Sequence, residues 1–276
     1  MKIFLTGSNG YIAKNIYEYF KDRHIFFLAN RESVDLTNIN DLKNKITNFK
    51  PDIIIHTAIE GGRRNEADTA DMAYRNILIF ENLISFKEQV KFIFNIGSGA
   101  EFDRSRNISY ANEEDIFSVL PIDYYGFSKN LISRKINILN SNIINLRIFG
   151  IFNHKELVSR FIKTNIFKIY KNEEPIIHEN KYMDYVYMDD FLEVLKYYLN
   201  TEKPKYKDIN ICYQKKYKLI DLINLIYLNL NKKQMIDQNL VNGLSYTGNG
   251  DKINSLNLPF KGIEYGIQEM IKNINL

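Results

Sequence analysis

The first 150 residues alternate between short apolar runs and longer segments whose apolar residues recur at helical spacing, and this alternation constrains the fold most. Strands are predicted at Ile3–Leu5, Ile25–Leu28, Ile53–His56, Lys91–Ile96 and Ile143–Leu146. Helices are predicted between them, near 11–22, 38–48, 70–88 and 124–140. This order predicts βαβ units and a doubly wound parallel sheet of the α/β class. A ligand of such a sheet binds at the carboxyl ends of the strands, where the strand order reverses.

After residue 150 the alternation weakens. Asp184–Met188 is predicted as one more strand, with a helix near 189–200 and a polar connection at 201–207. A smaller C-terminal α/β lobe is predicted from the remaining elements, which are Asp208–Cys212 and helices near 218–230 and 263–273.

Two glycines, Gly7 and Gly10, lie in the turn between the first strand and the first helix, in the pattern T-G-x-x-G-x-x-A that ends at Ala13. Glycine gives such a turn backbone freedom and lets a ligand approach the main chain closely. The amino end of the following helix favours a phosphate group. Many strand–turn–helix units need glycine without binding a ligand, so this pattern alone leaves both interpretations open.

Composition excludes several classes of protein. The 37 basic and 33 acidic residues are spread along the chain without a basic cluster among aromatics, so we expect no nucleic-acid partner. The single cysteine, Cys212, cannot form an internal disulfide or a multi-cysteine metal site, and the four histidines are scattered; we therefore expect no metal. No apolar run reaches transmembrane length, and no signal peptide is recognised. We expect a cytoplasmic protein without a membrane partner.

The stretch "DYYGFSK" places Tyr125 and Lys129 four residues apart at the start of a predicted helix, on one helical face. An ammonium group beside a phenol favours the phenolate, so we expect Lys129 to lower the pKa of Tyr125 toward the working pH of an acid–base catalyst. Ser98 follows the strand that precedes this segment and is placed to hydrogen-bond a substrate oxygen; the alternative is a turn serine. Asn76 lies on an otherwise apolar helix face, either as an anchor between helix and loop or in a proton path.

Together these motifs resemble those of the extended short-chain dehydrogenase/reductases, in the branch that modifies nucleotide sugars. The glycine turn, Ser98 and Y-x-x-x-K match the family's cofactor and catalytic motifs, and "HTA" and Asn76 match two further signatures. The stretches "NRESVDL", "EGG", "AYRN" and "GSGAEF" are similar to stretches of GDP-fucose synthases. The resemblance implies a Rossmann-type fold, with residues 1–149 and 183–201 as the dinucleotide-binding domain. Residues 150–182 and 202–276 would then form the nucleotide-sugar-binding lobe.

The resemblance also implies roles for individual residues. Tyr125 would be the general acid, Lys129 would hold the nicotinamide ribose and Ser98 would bind the reacting oxygen. The residues that would bind the cofactor are Gly7, Asn9, Gly10, Tyr11, Ile12, Arg31, Asp35, Leu36, Thr57, Ala58, Asn76 and Lys129. The residues that would bind the substrate are Ser98, Gly99, Asn153 and Lys252, although Lys252 is equally interpreted as a solvated turn lysine.

Family resemblance leaves the reaction open among reduction, 4-epimerisation, 4,6-dehydration and 3,5-epimerisation. The positions at which relatives keep the acids and bases for dehydration or epimerisation beside a ketone hold Gly99 and Ala100, which cannot move a proton. His154 is the remaining candidate base, against the alternative of a surface histidine. Ketone reduction and 4-epimerisation survive, because both need only Ser98, Tyr125 and Lys129.

Arg31 follows the second strand at the position where NAD-specific proteins place an acidic residue. Its guanidinium suits a 2′-phosphate, so NADP(H) is favoured over NAD(H), although Glu32 follows at once. We therefore expect an NADP(H)-dependent 4-ketoreductase that acts on a nucleotide-diphosphate sugar and forms a homodimer. The alternatives are an NAD-dependent 4-epimerase and a non-catalytic NAD(P)-binding regulator.

Overall fold

The computed structural model describes residues 1–62, 66–139, 141–234 and 240–274. Within these ranges the strands are β1 (Lys2–Thr6), β2 (Ile25–Ala29), β3 (Ile53–His56), β4 (Phe92–Ser98), β5 (Ile108–Ala111), β6 (Ile143–Ile148), β7 (Ile151–Phe152), β8 (Val186–Tyr187), β9 (Asp208–Ile211) and β10 (Tyr246–Gly248). The α-helices are α1 (Tyr11–Phe20), α2 (Ile39–Phe49), α3 (Ala70–Ile84), α4 (Tyr124–Leu139), α5 (Phe161–Tyr170), α6 (Met188–Asn200), α7 (Leu219–Asn229), α8 (Asp251–Asn254) and α9 (Gly262–Asn273). Residue 140, the predicted end of the fourth helix, lies outside the described residues.

Six strands form one parallel sheet in the order β2-β1-β3-β4-β6-β9. Thr6 at the end of β1 is paired with Ala29 on one side and with His56 on the other. The chain therefore runs outward in both directions from β1, and the strand order reverses between β1 and β3. The predicted doubly wound, Rossmann-type α/β sheet is confirmed, and its switch point lies at the ends of these two strands.

The central strands of the sheet, β1, β3 and β4, are apolar and buried on both faces. All four residues of β3 are buried, as expected of a parallel strand between two helical layers. On one face, Phe4, Ile54 and Ile93 pack in a cluster with buried residues of three helices; these residues are Leu42 and Ile46 of α2, Ile79, Phe80 and Leu83 of α3, and Ile132 and Ile136 of α4. Burial of these side chains is the main source of stability in such a core.

The last strand of the sheet differs from the prediction, which assigned Asp208–Cys212 to the smaller lobe. In the structure β9 lies beside β6, and the Asn145 N–H donates to the Lys207 carbonyl oxygen at 2.7 Å. The predicted strand at 184–188 is reduced to the two residues of β8, which pair with β7 in a separate small sheet. A run of four or five apolar residues does not specify its partner strand, so sequence alone could not decide either pairing.

The chain divides into two compact units, one of residues 1–105, 113–147 and 203–210 and one of residues 106–112, 148–202 and 211–276. Residues 183–201 belong to the second unit by compactness, whereas the sequence assigned them to the cofactor domain. The division into compact units does not show which residues bind the cofactor. The assignment of residues 183–201 to the cofactor domain therefore stays a prediction.

The second unit has its own core, in which Phe152, Tyr185 and Tyr187 pack with the buried faces of α5, α7 and α9. Its small sheets are β7–β8 and β10–β5. Among the described residues, no helix is both long enough and apolar enough to span a bilayer.

Candidate active site

The glycine turn lies against the end of β3. Gly7 has φ +64°, a left-handed conformation that favours glycine, and a Cβ atom there would lie 2.8 Å from the backbone N and Cα atoms of Ala58. The Gly10 N–H donates to the Gly7 carbonyl oxygen at 2.8 Å and closes the turn. Asn9 and Gly10 are therefore presented on the surface immediately before α1. No side chain at position 7 fits beside this strand end.

The ends of β1 and β3 are joined by side-chain hydrogen bonds. The Thr57 hydroxyl donates to the Thr6 carbonyl oxygen at 2.6 Å, and Thr6 Oγ1 accepts the N–H groups of Thr57 and Ala58 at 3.2 Å each. Tyr11 and Ile12, in the first turn of α1, are half-buried. The structure therefore brings the "HTA" segment and the glycine turn together at the switch point, as a dinucleotide site requires. Their contacts with a cofactor stay predictions.

Arg31 is paired with an acid that sequence reasoning missed. Its side chain is 89% exposed, and Nη2 lies 2.9 Å from Oε1 of Glu60, in the loop after β3. The other oxygen of Glu60 accepts Arg75 Nε at 2.8 Å. The neighbouring Glu32 instead donates its N–H to Asn30 Oδ1. Arg31 thus lies at the predicted strand end with its charge balanced by Glu60.

Asp35 and Leu36 have structural contacts of their own. The Asp35 carboxylate accepts the N–H of Thr37 at 2.9 Å and its hydroxyl at 2.7 Å, and these bonds lower the Asp35 pKa. Leu36 is buried in the core cluster of the sheet. These contacts account for Asp35 as part of a turn and for Leu36 as part of a core. The predicted contact of both residues with the cofactor stays a prediction.

Asn76 fixes the loop after β3. Its Oδ1 accepts the Glu60 N–H at 2.8 Å, and its Nδ2 donates to the Glu60 carbonyl oxygen at 2.9 Å and to Ser128 Oγ at 3.3 Å. The side chain is 1% exposed. Of the two roles that the sequence left open, these bonds describe the anchor between helix and loop.

Ser98 ends β4, and its hydroxyl has two described neighbours. Oγ accepts the Ala100 N–H at 3.2 Å, which caps a 3₁₀ turn at Gly99–Phe102, and the Ser98 side chain interacts with that of Tyr125, whose pKa it lowers. Gly99 is buried in the first position of that turn. Ser98 is therefore both a cap, which is the turn role considered from the sequence, and a direct neighbour of the predicted acid.

Lys129 lies one turn of α4 beyond Tyr125 and is buried. Its Nζ donates to the Ile96 carbonyl oxygen at 2.6 Å, so the side chain points toward the end of β4. Burial lowers the Lys129 pKa from 10.5 to about 8, against the charge of Glu101, which raises it. His56 is buried nearby; desolvation and the charge of Lys129 lower its pKa to about 3, so this histidine is neutral.

The expectation that Lys129 lowers the pKa of Tyr125 is wrong for this structure. Burial raises the Tyr125 pKa above its ordinary value; the hydrogen bond from Ser98 and the charge of Arg104 lower it, and the charges of Glu101 and Asp123 raise it. Desolvation of the phenolate outweighs the nearby cations. Tyr125 consequently holds its proton at neutral pH.

Two neighbours of Tyr125 were not identified from the sequence. Arg104 lies over its ring, with Cζ 5.5 Å from the ring centroid, and donates to Asp123 Oδ1 at 2.6 Å. A Cβ atom at Gly62 would lie 2.8 Å from the ring. The "EGG" stretch was noted as a resemblance, but its packing on Tyr125 depends on a contact between residues 63 positions apart.

The predicted substrate residues Asn153 and Lys252 lie in the second unit. Asn153 is 5% exposed, and its Oδ1 accepts the Lys155 N–H at 2.9 Å. Lys252 is half-buried in α8. Their roles stay predictions. In the described part of the chain, no group of three or more His, Cys, Asp or Glu side chains is arranged to hold a metal ion.

Comparison with solved structures supports the fold. The chain is similar to GDP-mannoheptose C4 reductase from Campylobacter jejuni with NADP bound, at a TM-score of 0.83 and 19% identity over 98% of this chain and 97% of that chain. It is also similar to GDP-L-fucose synthetase from Naegleria fowleri, at a TM-score of 0.78 and 16% identity over 98% and 92% of the two chains. Solved structures of this fold contain NADP or NAD.

Sequence comparison identifies the family. GDP-6-deoxy-D-talose 4-dehydrogenase from Aggregatibacter actinomycetemcomitans is 34% identical over 61 residues, which is 21% of this chain and 21% of that enzyme. The chain therefore aligns with about one fifth of this curated relative. The profile of the NAD dependent epimerase/dehydratase family matches residues 3–212, well over half of the chain. The protein is thus an NAD(P)-dependent enzyme that belongs to the NAD-dependent epimerase/dehydratase family.

Proposed function

We propose that the protein reduces a 4-keto nucleotide-diphosphate sugar to the 4-hydroxy sugar with NADPH. The observation that carries this proposal is the grouping of buried Ser98, half-buried Tyr125 and buried Lys129. The side chains of Ser98 and Tyr125 interact, and the phenol of Tyr125 carries its proton. A protonated phenol beside a serine hydroxyl is what a general acid for a ketone oxygen requires.

The residues at the switch point fit a nicotinamide dinucleotide. Gly7 and Gly10 leave room for a pyrophosphate beside the amino end of α1, in a turn where a Cβ atom would collide with Ala58. When bound, the cofactor supplies the hydride. Ser98 then holds the 4-oxygen, Tyr125 gives that oxygen its proton, and Tyr125 recovers a proton from solvent. Lys129 is the proposed contact of the nicotinamide ribose.

A simple reduction is favoured over dehydration and over epimerisation beside a ketone, because the two positions after Ser98 hold no acid or base. Gly99 and Ala100 carry no titratable atoms, and the one acid of this turn, Glu101, is buried with its oxygens held by the Ser98 N–H and by Arg147. Arg31 supports NADPH, because its side chain is 89% exposed and the Glu60 carboxylate that it contacts is shared with Arg75. The pairing of Arg31 with Glu60 is the observation that favours the second candidate, an NAD-dependent 4-epimerase, because it neutralises this charge.

The direct test supplies purified protein with GDP-, dTDP- or UDP-linked 4-keto-6-deoxy sugars and follows the absorbance of NADPH or NADH. Faster oxidation of NADPH, with a 4-hydroxy sugar as product, is the expected result. Interconversion of 4-hydroxy epimers by protein that retains NAD would establish the epimerase instead. No turnover with any of the three nucleotides would favour the regulator. The Tyr125→Phe variant serves as the control for non-enzymatic oxidation.

We also propose a homodimer. Its support is the set of large apolar side chains that the first unit leaves exposed on and beside α3 and α4, among them Tyr74 at 64%, Ile122 at 78% and Ile138 at 74%. Light scattering on the purified protein should give twice the mass of the chain. A monomer at micromolar concentration would contradict this proposal and leave the proposed reaction untouched.

A further inference from the structure

A buried carboxylate connects the catalytic serine to an internal ion cluster. Glu101 is wholly buried in the 3₁₀ turn after β4; its Oε1 accepts the Ser98 N–H at 2.8 Å and its Oε2 accepts Arg147 Nε at 2.5 Å. Arg147 is equally buried and lies 2.9 Å from Oδ1 of Asp208. The main chain of Ser98 is thereby attached to a set of charges inside the first unit.

The contacts of Glu101 indicate the ionised form. Its described hydrogen-bonding neighbours are the N–H donors of Ser98, Arg147 and Asn145, the last at 3.4 Å, so a carboxyl proton at either oxygen would face a donor. Burial and the charge of Asp208 raise the Glu101 pKa above its ordinary value, while the charge of Arg147 and the bonds from Ser98 and Arg147 act in the opposite direction. A carboxylate held by several donors remains charged even when buried.

Capping the 3₁₀ turn does not account for this charge. The amide oxygen of a glutamine is a sufficient acceptor for one backbone N–H, and it avoids the desolvation of a carboxylate. The backbone of Glu101 is already held by α4, where Asn130 Nδ2 donates to its carbonyl oxygen at 2.8 Å. Arg147 is the ion-pair partner of Glu101, but it also pairs with Asp208, so this cluster sets one guanidinium against two carboxylates.

The predicted catalytic pair on α4 lies at the same end of β4, because Lys129 Nζ donates to the Ile96 carbonyl oxygen at 2.6 Å and Glu101 accepts the Ser98 N–H at 2.8 Å. The charge of Glu101 raises the pKa of Lys129, which burial lowers to about 8, and it also raises the pKa of Tyr125. The other groups that face this set are neutral His56 beside Lys129, Arg104 and Asp123 beside Tyr125, and Arg147 and Asp208 beside Glu101. Of these carboxylates, Glu101 is the one that raises the Lys129 pKa.

We propose that Glu101 is a positioning residue of the active site, which fixes the main chain of Ser98 and places a buried negative charge at the end of β4 that Lys129 also contacts. Glu101 acts through these two residues and does not itself exchange a proton with the substrate. The effect on turnover rests on the proposed reduction; the effects on Ser98 and Lys129 do not.

The test compares Glu101→Gln with Asp208→Asn. Both variants remove one carboxylate charge from the surroundings of Arg147 at nearly constant volume. The described contacts of Asp208 are with Arg147, Asn145 and Asn137, so Asp208→Asn controls for the loss of a buried ion pair. Two measurements need no substrate: the Lys129 pKa by NMR of isotope-labelled lysine, assigned with Lys129→Met, and the exchange rate of the Ser98 amide proton.

In Glu101→Gln we expect the Lys129 pKa to fall below its wild-type value and the Ser98 amide to exchange about fivefold faster, because a neutral hydrogen bond replaces a charge-assisted one. In Asp208→Asn the Lys129 pKa and the Ser98 amide exchange rate should remain near their wild-type values. The melting temperature should fall to a similar degree in the two variants. Equal Lys129 pKa values in Glu101→Gln and wild type, or equal changes in both variants, would overturn the proposal.

With a 4-keto sugar that the wild type reduces, Glu101→Gln should lower kcat by about 10- to 100-fold with little change in the KM for NADPH. The alkaline limb of the pH–rate profile of Glu101→Gln should move to lower pH, because Lys129 and Tyr125 both lose protons more readily without the carboxylate.

If Glu101→Gln does not fold, Glu101→Asp keeps the charge on a side chain one methylene shorter. We then expect an unchanged Lys129 pKa and faster Ser98 exchange; wild-type exchange would contradict the positioning role. Lack of wild-type turnover would reject the proposed reduction and leave the Lys129 and Ser98 measurements valid.

Discussion

The ring of Tyr125 lies directly against the backbone of Gly62, where an added Cβ atom would come within 2.9 Å of three ring carbons. Gly62 has φ +70°, and its N–H donates to Asp68 Oδ1 at 2.7 Å. The loop after β3 therefore forms one wall of the tyrosine's surroundings, and Arg104 covers the ring as well. The position of the predicted acid depends on both of these contacts.

Gly62→Ala is expected to lower turnover by displacing Tyr125. Gly262→Ala is a matched control, because Gly262 also has a positive φ, +87°, but no atom lies within 4 Å of its added Cβ. Both variants should lose about 1–2 kcal/mol of stability from backbone strain. Only Gly62→Ala should reduce kcat, measured with NADPH and a 4-keto sugar nucleotide. An equal kcat in the two variants would show that the contact with the ring is unimportant.

Tyr125→Phe should leave folding and cofactor affinity near wild type and lower turnover by about 10²-fold or more, since it removes the general acid. The ring itself is retained, so its packing against Gly62 and Arg104 remains. Circular dichroism and cofactor titration provide the controls, and the rate of NADPH oxidation is the measurement. Turnover at the wild-type rate would reject the assignment of Tyr125.

Lys129→Met should raise the free energy of unfolding at pH 7. Burial lowers the Lys129 pKa in the folded protein from 10.5 to about 8, so the unfolded chain binds this proton more tightly. The resulting penalty on folding is present below about pH 8 and disappears as the pH rises toward 10.5. Urea unfolding at several pH values should show the stabilisation shrinking across that window. The exposed Lys43→Met is the control, and a gain that does not depend on pH would contradict this account.

The same Lys129→Met substitution should lower both turnover and cofactor affinity, because the lysine is proposed to act on the tyrosine and on the nicotinamide ribose. Isothermal titration with NADPH measures the affinity separately from catalysis. An unchanged affinity would show that Lys129 does not reach the ribose.

Arg31→Ala should weaken NADPH binding by about 1.5–3 kcal/mol and leave NADH nearly unaffected, as for a charge-assisted hydrogen bond to the 2′-phosphate. Glu60→Gln should have the opposite effect on NADPH, because it frees the Arg31 guanidinium, now 2.9 Å from the Glu60 carboxylate, and removes a negative charge near it. Titration of each variant with NADPH and with NADH measures these changes in affinity. Equal effects of Arg31→Ala on NADPH and NADH would favour the NAD-dependent epimerase.

The reaction in deuterated water should place no deuterium on the sugar ring carbons. A simple reduction takes its hydride from NADPH and moves protons only on oxygen, and the turn after Ser98 holds Gly99 and Ala100 where a carbon base would stand. Mass spectrometry of the product, against an enzyme-free control, measures exchange. Enzyme-dependent deuterium at carbon 3 or carbon 5 would require a base elsewhere, with His154 as the first candidate, and would exclude the simple reductase.

The sequence by itself determined what depends on local order. Strand and helix periodicity in the first 150 residues predicted the parallel sheet, and the spacing of Gly7, Gly10, Tyr125 and Lys129 placed them at strand and helix ends. These features are readable because hydrophobic periodicity and backbone freedom act over a few neighbouring residues.

Tertiary structure alone decided what depends on distant pairs. Arg31 meets Glu60 across 29 residues, Arg147 meets Glu101 across 46, and β9 joins the sheet beside β6 although it follows much of the second unit in the chain. No local pattern identifies such partners. The sign of the Tyr125 pKa shift was also missed, because burial, which spacing does not report, outweighs the charges around that phenol.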